Sequence, residues 1–306
     1  MLTFDFINVG YGDAILIRDT AAGFSALVDC GDCSVGDGVP GSARISAADF
    51  LRREGIQILD LLVLTHLHRD HSGGLADVLS AAHVRELWTN YLPPRSAWGS
   101  QVPVPPSYCA GGRCLLESLN IYLSALQAMD AGQTVIRQLD RSCPQITLTP
   151  SLQAAVYLED AALLHRQTEI WQQVLDGTAD NSLLTQLDQF INNTSIRLTL
   201  SGAGVRVELP GDTYADCWEK HLLSPCTILK LPHHGHRDSI TPRLLDMLTP
   251  QHAVISVSNT RTDDCPARSV LEQLASRGCK LHITDAVETA GFTAGSHASV
   301  QFAFDC

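Results

Sequence analysis

The sequence of 306 residues is short of charged side chains, and of basic ones above all. Charged residues make up 18% of the chain and hydrophobic residues 45%, which excludes a chain that is disordered throughout. Lys and Arg number 21 against 33 Asp and Glu, so the formal net charge is −12. We therefore expect no extended basic surface for nucleic acid, although a small local site for an anionic substrate fits this balance.

Long apolar runs are also missing, and we expect no secretory leader. No run approaches the roughly 18–20 residues that a membrane span needs, and residues 1–10 read as a strand without a basic region, so we expect no membrane span. The 10 cysteines are scattered instead of forming a short disulfide framework, which predicts a reducing, cytoplasmic location. The pairs Cys30/Cys33 and Cys109/Cys114 are candidates for metal binding or redox chemistry. No second pair at zinc-finger spacing accompanies them, which favours free thiols.

The pattern of elements predicts one domain, 1–306, interrupted by a segment of different character. The first 65 residues read as strands with tight turns, followed by a helix over 46–54 with Ser46 as its N-cap. The apolar run 59–65 is typical of a strand covered on both faces. Residues 93–190 contain a proline-rich loop and helical stretches at 118–129 and 152–175, so we interpret them as a mainly helical insertion, a lid or specificity module. Strands and helices alternate again from 195 onwards.

Histidine is the most informative residue, because six of the 12 histidines lie in two short clusters. His66, His68, Asp70 and His71 directly follow the apolar run 59–65. Three imidazoles and a carboxylate within six residues suit a divalent cation that takes nitrogen and oxygen ligands. His66 and His68 can point the same way from an extended segment, while Asp70 and His71 can turn towards a second position at the start of a helix.

A second group of ligands follows two later strands. His233, His234 and His236 come after the apolar strand 227–231, and Asp212 follows strand 205–209. Side chains at the ends of several strands converge on an open α/β scaffold. A carboxylate such as that of Asp212 can bridge two cations about 3.5–4 Å apart.

These motifs resemble those of the metallo-β-lactamase-fold hydrolases, and in particular the branch that contains the hydrolase domain of the competence protein ComEC. The resemblance rests on Val-Asp-Cys-Gly at 28–31, the H-x-H-x-D-H block at 66–71, Gly-Asp at 211–212 and Pro-His-His-Gly at 232–235. The opening strand pair 8–17, the polar stretch 192–195 and the strand 253–258 are also similar to that branch. The likeness spans residues 1–92 and 190–285, and the insertion is unmatched.

The resemblance implies an α/β fold, the αββα four-layer sandwich, with two divalent metal ions at one edge. It implies that His66 and His68 hold the first ion and that Asp70 and His71 hold the second. It further implies that Asp212 bridges the ions, that His233 completes the second ion in preference to His234, and that Asp29 orients a ligand histidine.

Two departures from the family pattern bear on the metals and the substrate. Asn192 or Asn193 stands where most of the superfamily has a histidine, as in the ComEC-like branch. A neutral amide is a poorer zinc ligand, so the ions are expected to be zinc or manganese, with the first bound weakly. The branch tends to carry Gly-His-Pro where this chain has Asp-Cys-Pro at 264–266, which removes an expected substrate-contacting histidine.

The expected function is metal-dependent hydrolysis by a hydroxide that two metal ions activate, most plausibly of a phosphodiester in a nucleic acid or nucleotide. Asp70 and Asp212 are the expected catalytic carboxylates, with Asp70 orienting or shuttling the proton. Side chains near the same strand ends are candidates for substrate contact: Lys230, His236, Ser239 and Asn259. A small-ester or lactone hydrolase, and a metal-binding but inactive interaction protein, are the alternatives.

Overall fold

A computed structural model describes residues 1–36, 40–158, 161–221, 223–259, 265–289 and 292–305. Its strands form two sheets of seven strands each, together with two pairs of short strands. The sheets lie face to face, and helices cover both outer faces. The predicted four-layer α/β sandwich is therefore confirmed.

The first sheet contains the N-terminal and the C-terminal strands, in the order β18-β1-β2-β3-β5-β7-β8. Strands β18, β1, β2 and β3 are antiparallel neighbours, whereas β3, β5, β7 and β8 run parallel. Its members are β1 (Leu2–Ile7), β2 (Ile15–Asp19), β3 (Phe24–Val28), β5 (Leu61–Val63), β7 (Glu86–Thr89), β8 (Val135–Gln138) and β18 (Ser299–Phe304).

The second sheet is built from the later part of the chain, in the order β15-β14-β13-β12-β11-β10-β9. Strands β12 to β15 are parallel, so their carboxyl ends share one edge of the sheet. Its members are β9 (Cys143–Thr149), β10 (Leu152–Tyr157), β11 (Arg197–Gly202), β12 (Val205–Leu209), β13 (Ile228–Lys230), β14 (His252–Ile255) and β15 (Lys280–Ile283). The short pairs are β4 (Ile58–Leu59) with β6 (His83–Val84), and β16 (Val287–Thr289) with β17 (Phe292–Ala294).

Three apolar cores separate the four layers. The central core lies between the sheets, where Phe4 and Phe6 of β1 pack with Leu198 and Leu200 of β11. One outer core joins the first sheet to helices α1 (Ala47–Arg53), α3 (Leu75–Ala81), α4 (Ala110–Ala131), α5 (Ala161–Leu175) and α6 (Asn181–Phe190). The other joins the second sheet to α7 (Ala215–Trp218), α8 (Pro242–Leu248) and α9 (Arg268–Ser276). The four-residue helix α2 (Arg69–Ser72) lies in the metal-ligand block.

Local sequence signals explain several of these boundaries. Ser46 caps α1 as predicted, because its hydroxyl accepts a hydrogen bond from the Asp49 backbone N–H at 3.0 Å. Helix α4 contains the predicted stretch 118–129 and is longer at both ends. The prediction of one helical stretch over 152–175 is wrong for its first part. Residues 152–157 form β10, because buried side chains alternate there with partly exposed ones, which is the period of a strand.

Residues 93–190 are integral to the sandwich as well as mainly helical. They supply β8 to the edge of the first sheet and β9 and β10 to the edge of the second. They also supply α4, α5 and α6, whose apolar faces cover the first sheet. The segment therefore adds edge strands to both sheets as well as helices, and its role as a lid or specificity module stays a prediction.

Among the described residues, no helix combines the length and the apolar character needed to cross a bilayer. No disulfide is present among the nine described cysteines, which include both candidate pairs.

Candidate metal centre

The candidate ligands lie at the carboxyl ends of strands from both sheets. His66 follows β5 of the first sheet, and Asp70 and His71 belong to α2 just beyond it. Asp212 follows β12 of the second sheet, and His234 lies in the 3-10 turn Pro232–Gly235 after the neighbouring parallel strand β13. The chain thus brings together residues more than 160 positions apart.

Four of these side chains form a compact cluster. Ligand atoms of Asp70, His71, Asp212 and His234 all lie within 4.8 Å of one another. The Asp212 carboxylate oxygen Oδ2 is 3.2 Å from His71 Nε2 and 3.4 Å from His234 Nε2. The Asp70 oxygen Oδ2 is 3.2 Å from the same nitrogen of His234. Two carboxylates and two imidazoles therefore face a common point.

His66 and His68 form a second pair of candidate ligands beside this cluster. His66 Nε2 lies 3.2 Å from His68 Nδ1. The ring centroids of His66 and His71 are 4.2 Å apart, which places the pair next to the four-residue cluster. The structure thus gathers His66, His68, Asp70, His71 and Asp212 in one region, as the sequence predicted.

Asp29 supports the centre from the interior. Its Oδ2 is 2.8 Å from His71 Nδ1, and its two oxygens accept hydrogen bonds from the backbone N–H and the hydroxyl of Thr65. Backbone contacts reinforce this position: the Cys30 N–H donates to the His71 carbonyl at 2.7 Å. Asp29 therefore lies behind the ligands, in the place that the resemblance implied.

The structure places the paired histidines in different positions. His234 is fully buried and points into the cluster, while its Nδ1 faces the Ser256 carbonyl at 2.9 Å. His233 instead lies at the rim, where its Nδ1 bonds to Asp238 at 2.8 Å. Both histidines have positive φ, 46° and 53°, which is uncommon for residues with a side chain. This left-handed turn aims His234, and not the preferred His233, at the cluster.

Burial and neighbouring charges shift the pKa values of the histidines in the cluster. Burial lowers the pKa of His66, and the neighbouring His71 and His68 lower it further. For His71, burial also opposes protonation, but the carboxylates of Asp212, Asp29 and Asp70 outweigh it and raise its pKa well above the ordinary value. Burial also opposes protonation of His234, but the carboxylates of Asp212, Asp70 and Asp13 outweigh it and raise the pKa of His234 to about 9.

The two cluster carboxylates respond in the opposite sense. Burial raises the pKa of Asp70 and of Asp212, but His71 and His234 outweigh burial and hold both pKa values below the ordinary value. Two ionised carboxylates in a buried site require positive charge beside them.

Divalent cations fit the residues present. His71 Nε2 and His234 Nε2 are buried nitrogens without a well-aligned hydrogen-bond partner in the described structure. Buried polar atoms of this kind are rare unless something satisfies them. Imidazole nitrogens and carboxylate oxygens are ligands suited to zinc, and to other divalent ions that accept nitrogen and oxygen.

The cluster opens into a cleft of about 400 Å³. Besides the candidate ligands, its lining includes Cys114 of the candidate pair Cys109/Cys114, together with five residues that were not predicted as site residues: Tyr11, Asp32, Arg69, Asp188 and Tyr214. Cys114 belongs to α4 and Asp188 to α6, so the segment 93–190 forms part of the cleft wall. A larger cavity of about 570 Å³, near Tyr91 and Trp98, has no histidine or cysteine among its lining residues.

Asn192 and Asn193 lie in different surroundings. Asn192 lines the cleft, and its side-chain oxygen is buried without a hydrogen-bond partner in the described structure. Asn193 instead accepts a hydrogen bond from the Tyr214 backbone N–H at 3.0 Å. The structure therefore favours Asn192 as the weak ligand. In the Asp-Cys-Pro stretch at 264–266, which differs from the family pattern, residue 264 lies outside the described residues.

The four candidates for substrate contact are placed differently from one another. Lys230 is 1% exposed and its ammonium bonds to Asp13 at 2.5 Å. Ser239 is fully buried, and for both residues contact with substrate stays a prediction. The Asn259 carboxamide accepts a hydrogen bond from Arg44. His236 lies at the rim beside Asp238, 3.2 Å from it, and its role stays a prediction.

Sequence comparison relates the first part of the chain to known proteins. Residues 7–93 match the family model of the metallo-beta-lactamase superfamily. Recombination protein 2 of Haemophilus influenzae is 34% identical over 109 residues, which amount to 36% of this chain and 12% of that protein. The chain thus corresponds to a small part of that relative.

Three solved structures show a similar fold. The metallo-beta-lactamase fold protein YhfI from Bacillus subtilis aligns over 98% of both chains, with a TM-score of 0.51 and 11% identity. Zn²⁺-bound PqqB from Methylobacterium extorquens aligns over 99% of this chain and 100% of its own, with a TM-score of 0.50 and 10% identity. CmlA, a diiron β-hydroxylase from Streptomyces venezuelae, covers 92% of this chain at a TM-score of 0.50 and 13% identity, and the chain spans 52% of its length. At such identities the likeness concerns the fold.

Proposed function

This chain has the metallo-β-lactamase fold, and from that premise we propose that it is a hydrolase that uses two divalent metal ions. The observation that carries the proposal is the convergence of Asp70, His71, Asp212 and His234 from both sheets onto one point. A fold hosts many activities, so the site and not the fold supplies the argument.

The residues divide naturally between two ions. His66 and His68, with the Asn192 oxygen as a weak ligand, would hold the first. Asp70, His71 and His234 would hold the second. The Asp212 oxygen Oδ2 lies near the nitrogens of both His71 and His234, so Asp212 would also hold the second ion. A carboxylate has two oxygens, and we propose that Asp212 is shared with the first ion.

Divalent ions bound here would supply a water molecule whose pKa falls from 15.7 towards about 7, together with positive charge for the oxygens of the substrate. Asp70, whose pKa is held low by its histidine neighbours against the effect of burial, would accept a hydrogen bond from that water and orient it. The ring of Tyr11 lies against that of His234, with the centroids 4.2 Å apart and the planes tilted by 46°.

We propose a phosphodiester as the substrate. Among the described residues of the cleft lining, Arg69 is the single guanidinium or ammonium group, and Asp32 and Glu117 already pair with it at 3.1 Å and 2.9 Å. The cleft also holds the carboxylates of Asp188 and Asp212. A singly charged diester would meet less repulsion there than a doubly charged phosphomonoester.

The test is hydrolysis of bis-p-nitrophenyl phosphate by the purified protein with added Mn²⁺ or Zn²⁺. We expect turnover that a chelator abolishes, and a loss of at least about 100-fold in His68→Ala and Asp212→Asn. His165→Ala is the matched control, because His165 is an exposed histidine on α5 outside the cleft.

The other outcomes identify the alternatives. Turnover of a lactone or small ester, without turnover of the diester, would contradict the proposed substrate and retain the hydrolase. Two bound metal equivalents without turnover of either class would contradict the proposed enzyme and favour a metal-binding interaction protein.

A further inference from the structure

The two ring nitrogens of His68 face different partners. Nδ1 lies 3.2 Å from His66 Nε2, and Nε2 lies 3.4 Å from Asp188 Oδ1. Two nitrogens bound to one tetrahedral zinc at 2.0–2.1 Å lie about 3.3 Å apart. The spacing of His66 and His68 therefore suits a shared cation, and Nδ1 is the nitrogen of His68 that faces it.

The fold makes room for the Asp188 carboxylate. Asp188 lies on α6, whose Leu184 and Leu187 are buried in the outer core. On the neighbouring helix α4, a Cβ added to Gly111 would lie 2.3 Å from Asp188 Oδ2. Any residue other than glycine at position 111 would therefore displace the carboxylate from this place.

We propose that Asp188 is a positioning residue that holds His68 with Nδ1 turned towards the first metal ion. This inference rests on the proposed function. A carboxylate that accepts the N–H of a ligand imidazole fixes its tautomer and its ring orientation, and loss of such a partner typically weakens metal binding by 10–100-fold. Asp29 and His71 show a closer version of this pairing on the other side of the centre, a hydrogen bond of 2.8 Å, whereas Asp188 and His68 make an ion-pair contact of 3.4 Å.

The need for such a partner is greater at the first ion. With the neutral amide of Asn192 in place of an imidazole, the affinity for this ion would depend more strongly on the orientation of His66 and His68. His66 is fixed by Thr65 and Ser195, whose hydroxyls lie 3.0 Å and 3.3 Å from its Nδ1. For His68, Asp188 is the carboxylate within ion-pair distance.

The test compares Zn²⁺ affinity, measured by competition with a chromophoric chelator, in the wild type and three variants. Asp188→Asn removes the charge, and Gly111→Ala keeps the charge but displaces the carboxylate. Asp176→Asn, on an exposed residue outside the cleft lining, controls for the loss of one negative charge. Thermal unfolding of the metal-free proteins shows whether each variant is folded.

We expect the wild type to bind two equivalents. Asp188→Asn and Gly111→Ala should each weaken one equivalent by 10–100-fold and leave the other unchanged, while Asp176→Asn binds as the wild type does. The d–d absorption of a Co²⁺-loaded sample should change for the same single equivalent.

Two results would overturn the inference and leave the proposed function intact: two equivalents of unchanged affinity in Asp188→Asn, or an equal weakening of both equivalents in Asp188→Asn and Asp176→Asn. A wild type that binds no metal would instead overturn the proposed function, and this inference with it. If Gly111→Ala does not fold, Asp188→Asn alone decides between these outcomes.

Discussion

Asp29 Oδ2 contacts His71 Nδ1 at 2.8 Å, and both side chains are fully buried beneath the candidate metal centre. The contact leaves His71 Nε2 directed at Asp212, 3.2 Å away. Asp29 has φ of 59°, in the left-handed region that Asn and Asp adopt more readily than other residues with a side chain.

Asp29→Asn should therefore preserve the backbone while weakening the acceptor for His71. We expect the affinity of the second metal equivalent to fall by 10–100-fold, because the imidazole loses the carboxylate that orients it. Chelator competition measures the change, with Asp176→Asn as the control for charge. Unchanged affinity of both equivalents would show that Asp29 has no part in metal binding.

His234 and His233 offer a matched pair of substitutions. His234→Ala should remove one equivalent of metal, because His234 is the histidine that faces Asp70 and Asp212. His233→Ala should retain both equivalents, since the His233 ring bonds to Asp238 at the rim. Metal content after dialysis, measured by mass spectrometry, distinguishes the two variants. The reverse result would restore the preference expected from the sequence.

Gly12 controls the position of Asp70. A Cβ on Gly12 would lie 2.2 Å from the Asp70 carbonyl oxygen, and its φ is +134°. Gly23 also has positive φ, +63°, but a Cβ there would meet nothing within 4 Å. We expect Gly23→Ala to lower the free energy of unfolding by about 1–2 kcal/mol without an effect on metal binding.

Gly12→Ala should lower the free energy of unfolding by about 3 kcal/mol or more, because overpacking adds to the backbone strain. It should also reduce the affinity for metal. Urea unfolding and metal content check both effects. Equal behaviour of the two alanine variants would mean that the close approach of Gly12 to Asp70 is unimportant.

The buried ion pair of Arg44 and Asp285, with N–O distance 2.7 Å, predicts a dependence of stability on pH. Burial raises the pKa of Asp285, but hydrogen bonds from Ser296 and Arg44 outweigh it and lower the pKa below the usual 3.8. A pKa that is lower in the folded state means that the ionised carboxylate stabilises the fold above the unfolded-state pKa. That stabilisation is lost as pH falls through the folded-state pKa.

Asp285→Asn should cost about 3–5 kcal/mol near neutral pH, because Arg44 stays buried without its counter-charge. The difference in free energy of unfolding between wild type and variant should be constant from about pH 8 to pH 5 and shrink below about pH 4. Urea unfolding at several pH values measures it. A difference that grows towards low pH would contradict this assignment.

Much of the fold follows from local sequence patterns. Strands β1 to β3 and helix α1 are predicted because apolar periodicity and the Ser46 cap agree with the tertiary structure. Strand β8 escapes prediction because it lies at the edge of its sheet and is largely exposed, so that it carries little apolar pattern. The prediction of a helix fails at β10, because the neighbouring residues Ala155 and Val156 lie on opposite faces of a sheet.

The sequence predicts those candidate ligands that lie close together in one block or that directly follow a predicted strand. His66 to His71 form one block, and Asp212 and His234 follow parallel neighbouring strands. The choice of His234 depends on a left-handed turn that residue identity does not reveal. Asp188 lies within a helix that carries no ligand motif, and its place beside His68 arises from the packing of α6 against α4.

The position of the cluster between the two sheets affects the lifetime of the folded protein. Asp70 and His71 belong to one layer and Asp212 and His234 to the other, so a cation bound among them fastens two layers that apolar packing otherwise holds together. By mass action, a ligand at 1,000 times its Kd adds about 4.1 kcal/mol to the native state. The lifetime of this chain against heat and proteases would then follow the local supply of metal.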